Sequence, residues 1–330
     1  MTDRCHTAGG SAGTGQEASC VLVIAGPTAS GKSSLALAVA ERFGGVVINA
    51  DAMQVYRNVE VLTAQPGAAA RARVPHRLYG TIAPGEACSA GRWREMALDE
   101  IGAALAGGKL PVVVGGTGLY LKALMEGLAP IPEVPDEVRA SARELHARLG
   151  GEAFHRELVH LDPEAAARLD PGDSQRLIRA WEVLRATGRS LSSWHGADGA
   201  GPPPGLAFKT VMFDPPRQAL YAASDARFER MIADGAVEEA KALVARGLDP
   251  ELPVMKVLGV RELLGFIHGA ISIDEAISRA KQATRNYAKR QLTWFRRQMG
   301  ADEVIYAQYS ESFNETIFSF IMSLSLTTER

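Results

Sequence analysis

VLVIAGPTASGKSSLALAVA, residues 21–40, runs an apolar stretch into a glycine-rich turn and then into an amphipathic segment. Val21 to Ala25 has the length and unbroken apolar character of a strand covered on both faces. Leu35, Val39 and Phe43 recur at helical spacing and Gly44-Gly45 stops them, which predicts a helix over 32–43. Between strand and helix, Gly26, Gly31, Lys32 and Ser33 satisfy G-x-x-x-x-G-K-[ST]. Gly26, Pro27, Thr28, Ala29, Ser30, Gly31, Lys32 and Ser33 therefore form a candidate phosphate cradle. The glycines let the backbone curl so that its N–H groups converge on an anion. The helix start adds its positive dipole end. Lys32 supplies a point charge, and the Ser33 hydroxyl is a candidate Mg²⁺ ligand.

Working outward, strands are expected at 21–25, 46–49, 78–82 and 110–114, and helices at 32–43, 91–106 and 118–126. This alternation predicts an α/β fold: a P-loop NTPase-like parallel sheet flanked by helices. Ligands of such sheets sit at the carboxyl ends of the strands. The loop, Asp51 and Thr117 all fall at such ends and are expected to converge. The texture changes at "APIPEVPDEV", residues 129–138, and helical patterns continue to "GPPPG" at 201–205. Residues 133–205 read as a helical insertion domain. A strand returns at 206–213, with helices at 217–234, 236–246 and 274–299. The catalytic core is thus expected over 21–132 and 206–310, with a disordered tail at 1–20 and a C-terminal tail at 311–330.

The 330 residues carry a net charge of −2 and are 46% apolar, so a polyanion would have to meet a local basic patch. Cys5, Cys20 and Cys88 show no metal-ligand spacing. The first twenty residues lack the apolar core of a signal peptide, and no run approaches the roughly 20 apolar residues of a spanning helix. A cytoplasmic monomer with no membrane partner is expected.

The strand before "GGTGLY" ends in Gly115-Gly116-Thr117 and carries no acid. A motor-type NTPase would place an acid there to hold Mg²⁺ or position water. Asp51 follows the second strand instead, where small-molecule kinases place an acid that meets the substrate. Transfer of, or displacement at, a phosphorylated group is the chemistry this favours. Ala276 to Gly300 contains no acid and the bases Arg279, Lys281, Arg285, Lys289, Arg290, Arg296 and Arg297. Lys281, Arg285 and Lys289 share one face. Spacing leaves open whether this face is a polyanion track or compensates acids elsewhere in the fold. Arg176, Arg179 and Arg185 form a second basic cluster.

"AGPTASGKSSLALAVA", "INADAMQVYR", "PHRL", "VVVGGTGLYLKALMEGL", "DSQRLIRAWEV", "MKVLGVRELL" and "ATRNYAKRQLTWFRRQ" occur in this order. Together they resemble the tRNA dimethylallyltransferases, also called tRNA isopentenyltransferases, over residues 21–300. The resemblance implies a donor, dimethylallyl diphosphate, and an acceptor, the exocyclic amine of the adenine 3′ of the anticodon in a tRNA stem-loop. The cradle would hold the departing diphosphate, with Mg²⁺ as cofactor and Arg217 reaching it as well. Asp51 matches the family's catalytic acid and Thr117 its threonine at the reacting centre. tRNA contacts are implied for Asp51, Ala52, Met53 and Gln54; for Arg139; for Gln175, Arg176, Leu177, Ile178 and Arg179; and for Lys256, Val257, Leu258, Gly259, Val260 and Arg261. The Lys281, Arg285 and Lys289 face would add a track, and Thr117 a further contact. The chain departs from the family at Ala52, where a serine is usual, at Leu62 for glycine and at Gln65 for lysine. The rival reading of the loop is a small-molecule kinase that uses ATP.

Overall fold

The computed structural model describes residues 18–195 and 201–323. In chain order the first elements are β1 (Ser19–Ala25), α1 (Lys32–Phe43), β2 (Val46–Asn49), α2 (Ala68–Arg73), β3 (His76–Arg77), α3 (Ala90–Ala106), β4 (Pro111–Gly115) and α4 (Gly118–Glu126). A helical stretch follows: α5 (Asp136–Leu149), α6 (Gly151–Leu161), α7 (Pro163–Ala166), α8 (Ser174–Thr187) and α9 (Leu191–His195). The chain then returns through β5 (Leu206–Phe213), α10 (Arg217–Ala233), α11 (Ala236–Val244), α12 (Val260–Ile267), α13 (Ile273–Gln298), β6 (Glu303–Ile305) and α14 (Asn314–Ser323).

The strands form one six-stranded parallel sheet in the order β3-β2-β4-β1-β5-β6. β1 is central: Val23 pairs with Val113 of β4 on one side and Thr210 of β5 on the other. Val21 to Ala25 are wholly buried, as a strand with helices on both faces must be. The order sets the carboxyl ends of β2, β4 and β1 side by side, so the segments that begin at Ala50, Gly116 and Gly26 meet on one edge.

Two compact units divide the chain, Met1–Lys122 with Pro204–Arg330, and Ala123–Pro203. The helical unit begins at Ala123 rather than at the composition break near 133. Its core gathers Ala142, Phe154, Leu158, Leu177, Ala180 and Trp181. Asp162 caps α7 by accepting from Ala165 N at 3.0 Å, and Asp173 caps α8 by accepting from Arg176 N at 3.3 Å.

The sheet differs from expectation in three places. The strand expected at 78–82 is only His76–Arg77. Leu78 and Gly80 both adopt positive φ, 61° and 63°, which breaks the extended run. The tail expected over 1–20 is too long, because β1 starts at Ser19, whose N–H donates to Gly205 O at 2.9 Å. Residues 1–17 lie outside the described residues. The C-terminal tail is also no bare tail. Its α14 docks on α1 through buried Ile317 and Ile321 and an edge-on Phe43–Phe318 contact with centroids 5.5 Å apart, while β6, within the expected core, adds an edge strand that was not expected.

Candidate active site

The phosphate loop leaves β1 at Ala25 and enters α1 at Lys32. Its curl uses positive φ at Gly26, Ala29 and Gly31 (150°, 61° and 91°). Space demands glycine as well. A Cβ on Gly26 would lie 2.8 Å from Phe213 Cβ, and one on Gly31 would lie 2.3 Å from Tyr309 Cβ. Ser30 Oγ is buried without a hydrogen-bond partner. The first N–H groups of α1 have no acceptor within the helix. A bound oxyanion would complete this set of donors.

Two cations stand at the loop. Lys32 is buried and its ammonium donates to Pro27 O at 3.0 Å. Burial pulls its pKa down to about 8, against the Asp51 charge, which holds it up, while Arg227 lowers it further. Arg227, on α10, donates to the Thr28 hydroxyl. Desolvation lowers its pKa too, opposed by Asp51. Two desolvated cations beside one carboxylate leave an excess of positive charge that an anion relieves.

Asp51 is fixed by its neighbours. Asn49 ends β2, and its side chain donates to Asp51 O (3.0 Å) and Leu78 O (3.0 Å) and accepts from Asp51 N (2.9 Å). Asp51 Oδ1 accepts from Met53 N at 2.9 Å. Thr117, at the end of β4, donates its N–H to Ala50 O (3.2 Å) and accepts Ala52 N–H on its hydroxyl (2.9 Å). That hydroxyl also bonds Tyr287 of α13, whose phenol is kept neutral by burial first and by the Asp51 charge second. The approach of the β2 and β4 ends needs glycine, since a Cβ on Gly115 would lie 2.1 Å from Ala50 O. Gln291 of α13 ties the edge together, accepting from Thr28 N (2.8 Å) and donating to Gly116 O (2.8 Å).

Of these groups Thr28, Asp51, Arg227 and Tyr287 line one cavity of about 230 Å³. Thr28, Asp51, Arg227, Tyr287 and Arg290 supply its polar wall; Met53, Leu62, Phe228, Met231, Val257 and Leu258 supply an apolar one. A carboxylate, a cationic loop and an apolar wall around one space suit a substrate with an anionic head and a hydrocarbon body.

The expected residues divide. The loop and Asp51 come together with Thr117 beside them, as expected from the strand ends. Ser33 is exposed on the first turn of α1. Arg217 starts α10, exposed, and does not line the cavity; Arg227, on the same helix, does. The signal for Arg227 was present: Leu220, Ser224, Phe228 and Met231 form the buried face of α10, and Arg227 stands on it. Tyr287 and Gln291 gave no such signal in a helix read for its charges. Gln54 is tied to Thr63 O and Ala64 O (2.9 and 3.0 Å). Gly259 has φ 91°, and a Cβ there would lie 2.7 Å from Phe228 Cε2, so its bareness serves an aromatic ring.

On α13 the compensating reading accounts for most bases. Lys281 pairs with Glu229, Arg285 with both oxygens of Asp225 (2.7 and 2.6 Å), Arg279 with Glu275, and Arg296 with Asp214 (2.6 Å). Lys289 is exposed with no ion pair among the described residues. Lys256 pairs with Glu251 at 2.9 Å, Arg261 is exposed, and Val257 and Val260 are buried. In the helical unit Leu177 is core, Gln175 is exposed and Ile178 half-buried. Arg139, Arg176 and Arg179 pair with Asp136, Asp173 and Glu182 at 4.0, 3.3 and 3.4 Å. At the departures, Leu62 walls the cavity, Ala52 N–H is taken by Thr117, and Gln65 donates to Tyr56 O at 2.7 Å.

Residues 54–298 match the family model described as IPP transferase, and residues 19–81 one described as isopentenyl transferase. A tRNA dimethylallyltransferase of Rhodospirillum centenum is 60% identical over 85% of this chain and 90% of its own length. A protein of the same name from Paramagnetospirillum magneticum is 53% identical over 93% and 97%. The full-length tRNA isopentenylpyrophosphate transferase structure from Bacillus halodurans aligns with TM-score 0.66 at 30% identity, over 93% of this chain and 96% of that one. A eukaryotic dimethylallyltransferase captured acting on tRNA aligns with TM-score 0.77 at 25% identity, over 93% and 79%. The chain belongs to the IPP transferase family, that of the tRNA dimethylallyltransferases.

Proposed function

We propose that this protein transfers the dimethylallyl group of dimethylallyl diphosphate to the exocyclic amino nitrogen of the adenine 3′ of the anticodon in tRNA, releasing diphosphate. The observation that carries the reading is the cavity lined by Asp51, by Thr28 of the phosphate loop and by Arg227, with Met53, Leu62, Phe228, Met231, Val257 and Leu258 as its apolar wall and Lys32 buried in the loop nearby.

In the reaction the C–O bond to diphosphate breaks and a C–N bond forms. Charge grows on the leaving oxygens, where Lys32, Arg227 and the loop N–H groups are already placed. The amine is a weak nucleophile because its lone pair is delocalised into the purine. Asp51 accepts a hydrogen bond from it and takes its proton as the C–N bond forms, help worth about 10²–10⁴-fold. The Thr117–Tyr287 pair and the Asn49 clamp hold the Asp51 segment for this role. The adenine reaches the cavity by leaving its stack, at a cost of about a few kcal/mol in an unpaired loop. Met53, Leu62 and Phe228 receive apolar surface in return.

A Mg²⁺ ion fits this loop on chemical grounds. The Ser33 hydroxyl follows the Lys32 position, and no cluster of three His, Cys, Asp or Glu able to hold a metal exists among the described residues. The ion would take that hydroxyl, diphosphate oxygens and water, the hard oxygen set Mg²⁺ prefers. It would neutralise charge on the leaving group. A cytoplasmic setting accords with the lack, among the described residues, of a helix able to cross a membrane. The kinase reading is not favoured, because β4 ends in Gly115-Gly116-Thr117 without an acid and the relatives are transferases acting on tRNA.

The test is mass spectrometry of unmodified tRNA incubated with the protein, Mg²⁺ and either dimethylallyl diphosphate or ATP. One dimethylallyl group on one adenosine, formed without ATP, is expected. Phosphate release from ATP with no prenylated tRNA would overturn the reading.

A further inference from the structure

The segment after β6 lies against the phosphate loop. The Tyr309 N–H donates to Ser30 O at 3.1 Å. With its nitrogen toward the loop, the orientation that sets donor against acceptor, the Gln308 amide donates to Ala29 O (2.9 Å) and Ser30 O (3.2 Å). Tyr309 Cβ occupies the space beside Gly31 that any side chain there would need. The segment is anchored on both sides. Ile305 lies in the core before it, and Ile317 and Ile321 lie there after it. Tyr309 Oη also donates to Asn314 Oδ1 at 3.0 Å, tying the segment to the start of α14.

We propose that Gln308 and the Tyr309 backbone are positioning groups of the donor site, which aim the Gly31 N–H of the loop at diphosphate. The inference rests on the donor reading above. The physical link is the planar trans peptide, in which the carbonyl of one residue and the N–H of the next point in opposite directions. Two donors hold Ser30 O on the outer side of the loop. The Gly31 N–H is thereby turned inward, and it has no acceptor among the described residues. Ala29 O, held by the same Gln308 amide, fixes the preceding peptide, whose Ser30 N–H donates to Pro27 O at 3.4 Å. Without this outer support the Ser30–Gly31 peptide could rotate, since Gly31 tolerates many φ values. Each rotation would replace a donor in the cradle with a carbonyl that repels phosphate. Preorganised donors are what such a site needs when charge develops on the leaving group.

The test is calorimetric titration of the full chain with inorganic diphosphate and, separately, with tRNA, alongside KM for dimethylallyl diphosphate. Gln308→Ala is expected to weaken diphosphate by about 3- to 10-fold, the worth of one or two hydrogen bonds, with tRNA affinity and melting temperature unchanged. Gln308→Glu sets a carboxylate against two carbonyls. It is expected to weaken diphosphate further at about pH 8 and to recover toward wild type at about pH 5.5, where a protonated carboxyl can donate again. Equal diphosphate affinity in wild type and both variants would overturn the proposal. So would a parallel fall in diphosphate affinity, tRNA affinity and melting temperature, which would mark the segment as structural alone. A wild-type protein that prenylates tRNA without binding diphosphate would refute both positioning and cradle. One that binds diphosphate and fails to prenylate would refute only the transfer reading.

Discussion

Asp51 and Lys32 act on each other through their charges, and each can be probed by its own signature. Asp51→Asn keeps the Met53 N–H acceptor and removes the base. It is expected to lower kcat by about 10²- to 10⁴-fold with KM for both substrates nearly unchanged, measured by steady-state prenylation. An unchanged kcat would remove Asp51 from proton transfer. Lys32 is held near 8 by burial, so it is charged below that pH and loses its proton above it. Donor affinity is therefore fully present below about pH 8 and falls by up to about tenfold per unit above it, as the bound state still requires the charge. Titration of dimethylallyl diphosphate at two pH values on either side would show this, and Lys32→Ala should flatten the profile. For folding the sign is opposite. A lysine whose pKa is depressed in the native state costs stability while it is charged, and that cost is relieved as pH rises through the native value.

Helices place these groups, and their packing makes separate forecasts. α10 and α13 are joined by Lys281–Glu229 and Arg285–Asp225. Arg285 and Asp225 are partly exposed, so Arg285→Ala is expected to cost only about 0.5–1 kcal/mol in chemical denaturation. Its tRNA affinity should change little. Lys289, unpaired among the described residues, should behave otherwise: Lys289→Ala is expected to reduce the slope of log affinity against log salt by about one. A larger loss from Arg285 than from Lys289 in that titration would reinstate the whole face as a track. α14 offers a stability check. Ile317 is wholly buried against α1, and Ile317→Ala is expected to cost about 2–4 kcal/mol. Gly259→Ala forces a Cβ to 2.7 Å from the Phe228 ring at φ 91°, so both stability and the cavity wall should suffer.

For the molecule as a whole, the parallel sheet and the convergence of loop, Asp51 and Thr117 were legible because their causes are local. A buried strand, a glycine-rich curl and a helical repeat are each encoded within about a dozen residues. Parallel strands with helical crossovers then send all their carboxyl ends to one edge. Short or strained pieces were not legible. β6 has three residues, too few to show alternation, and β3 ends where Leu78 and Gly80 turn left-handed. The charge on α13 was visible but its fate was not, because the acids that neutralise Lys281 and Arg285 lie on another helix, 52 and 60 residues away. Tertiary structure alone supplied the remaining partners. Arg227 reaches Thr28 across 199 residues of sequence, and Gln291 reaches it across 263. The sequence by itself determined the glycine-rich loop, the place of Asp51 at a strand end and the parallel α/β class of the sheet, because backbone sterics and periodicity act between near neighbours. Only the folded chain decided which cation meets the loop, which bases are already paired, and that the C-terminal segment lies against the loop. Those outcomes depend on contacts between residues far apart along the chain, which no local pattern records.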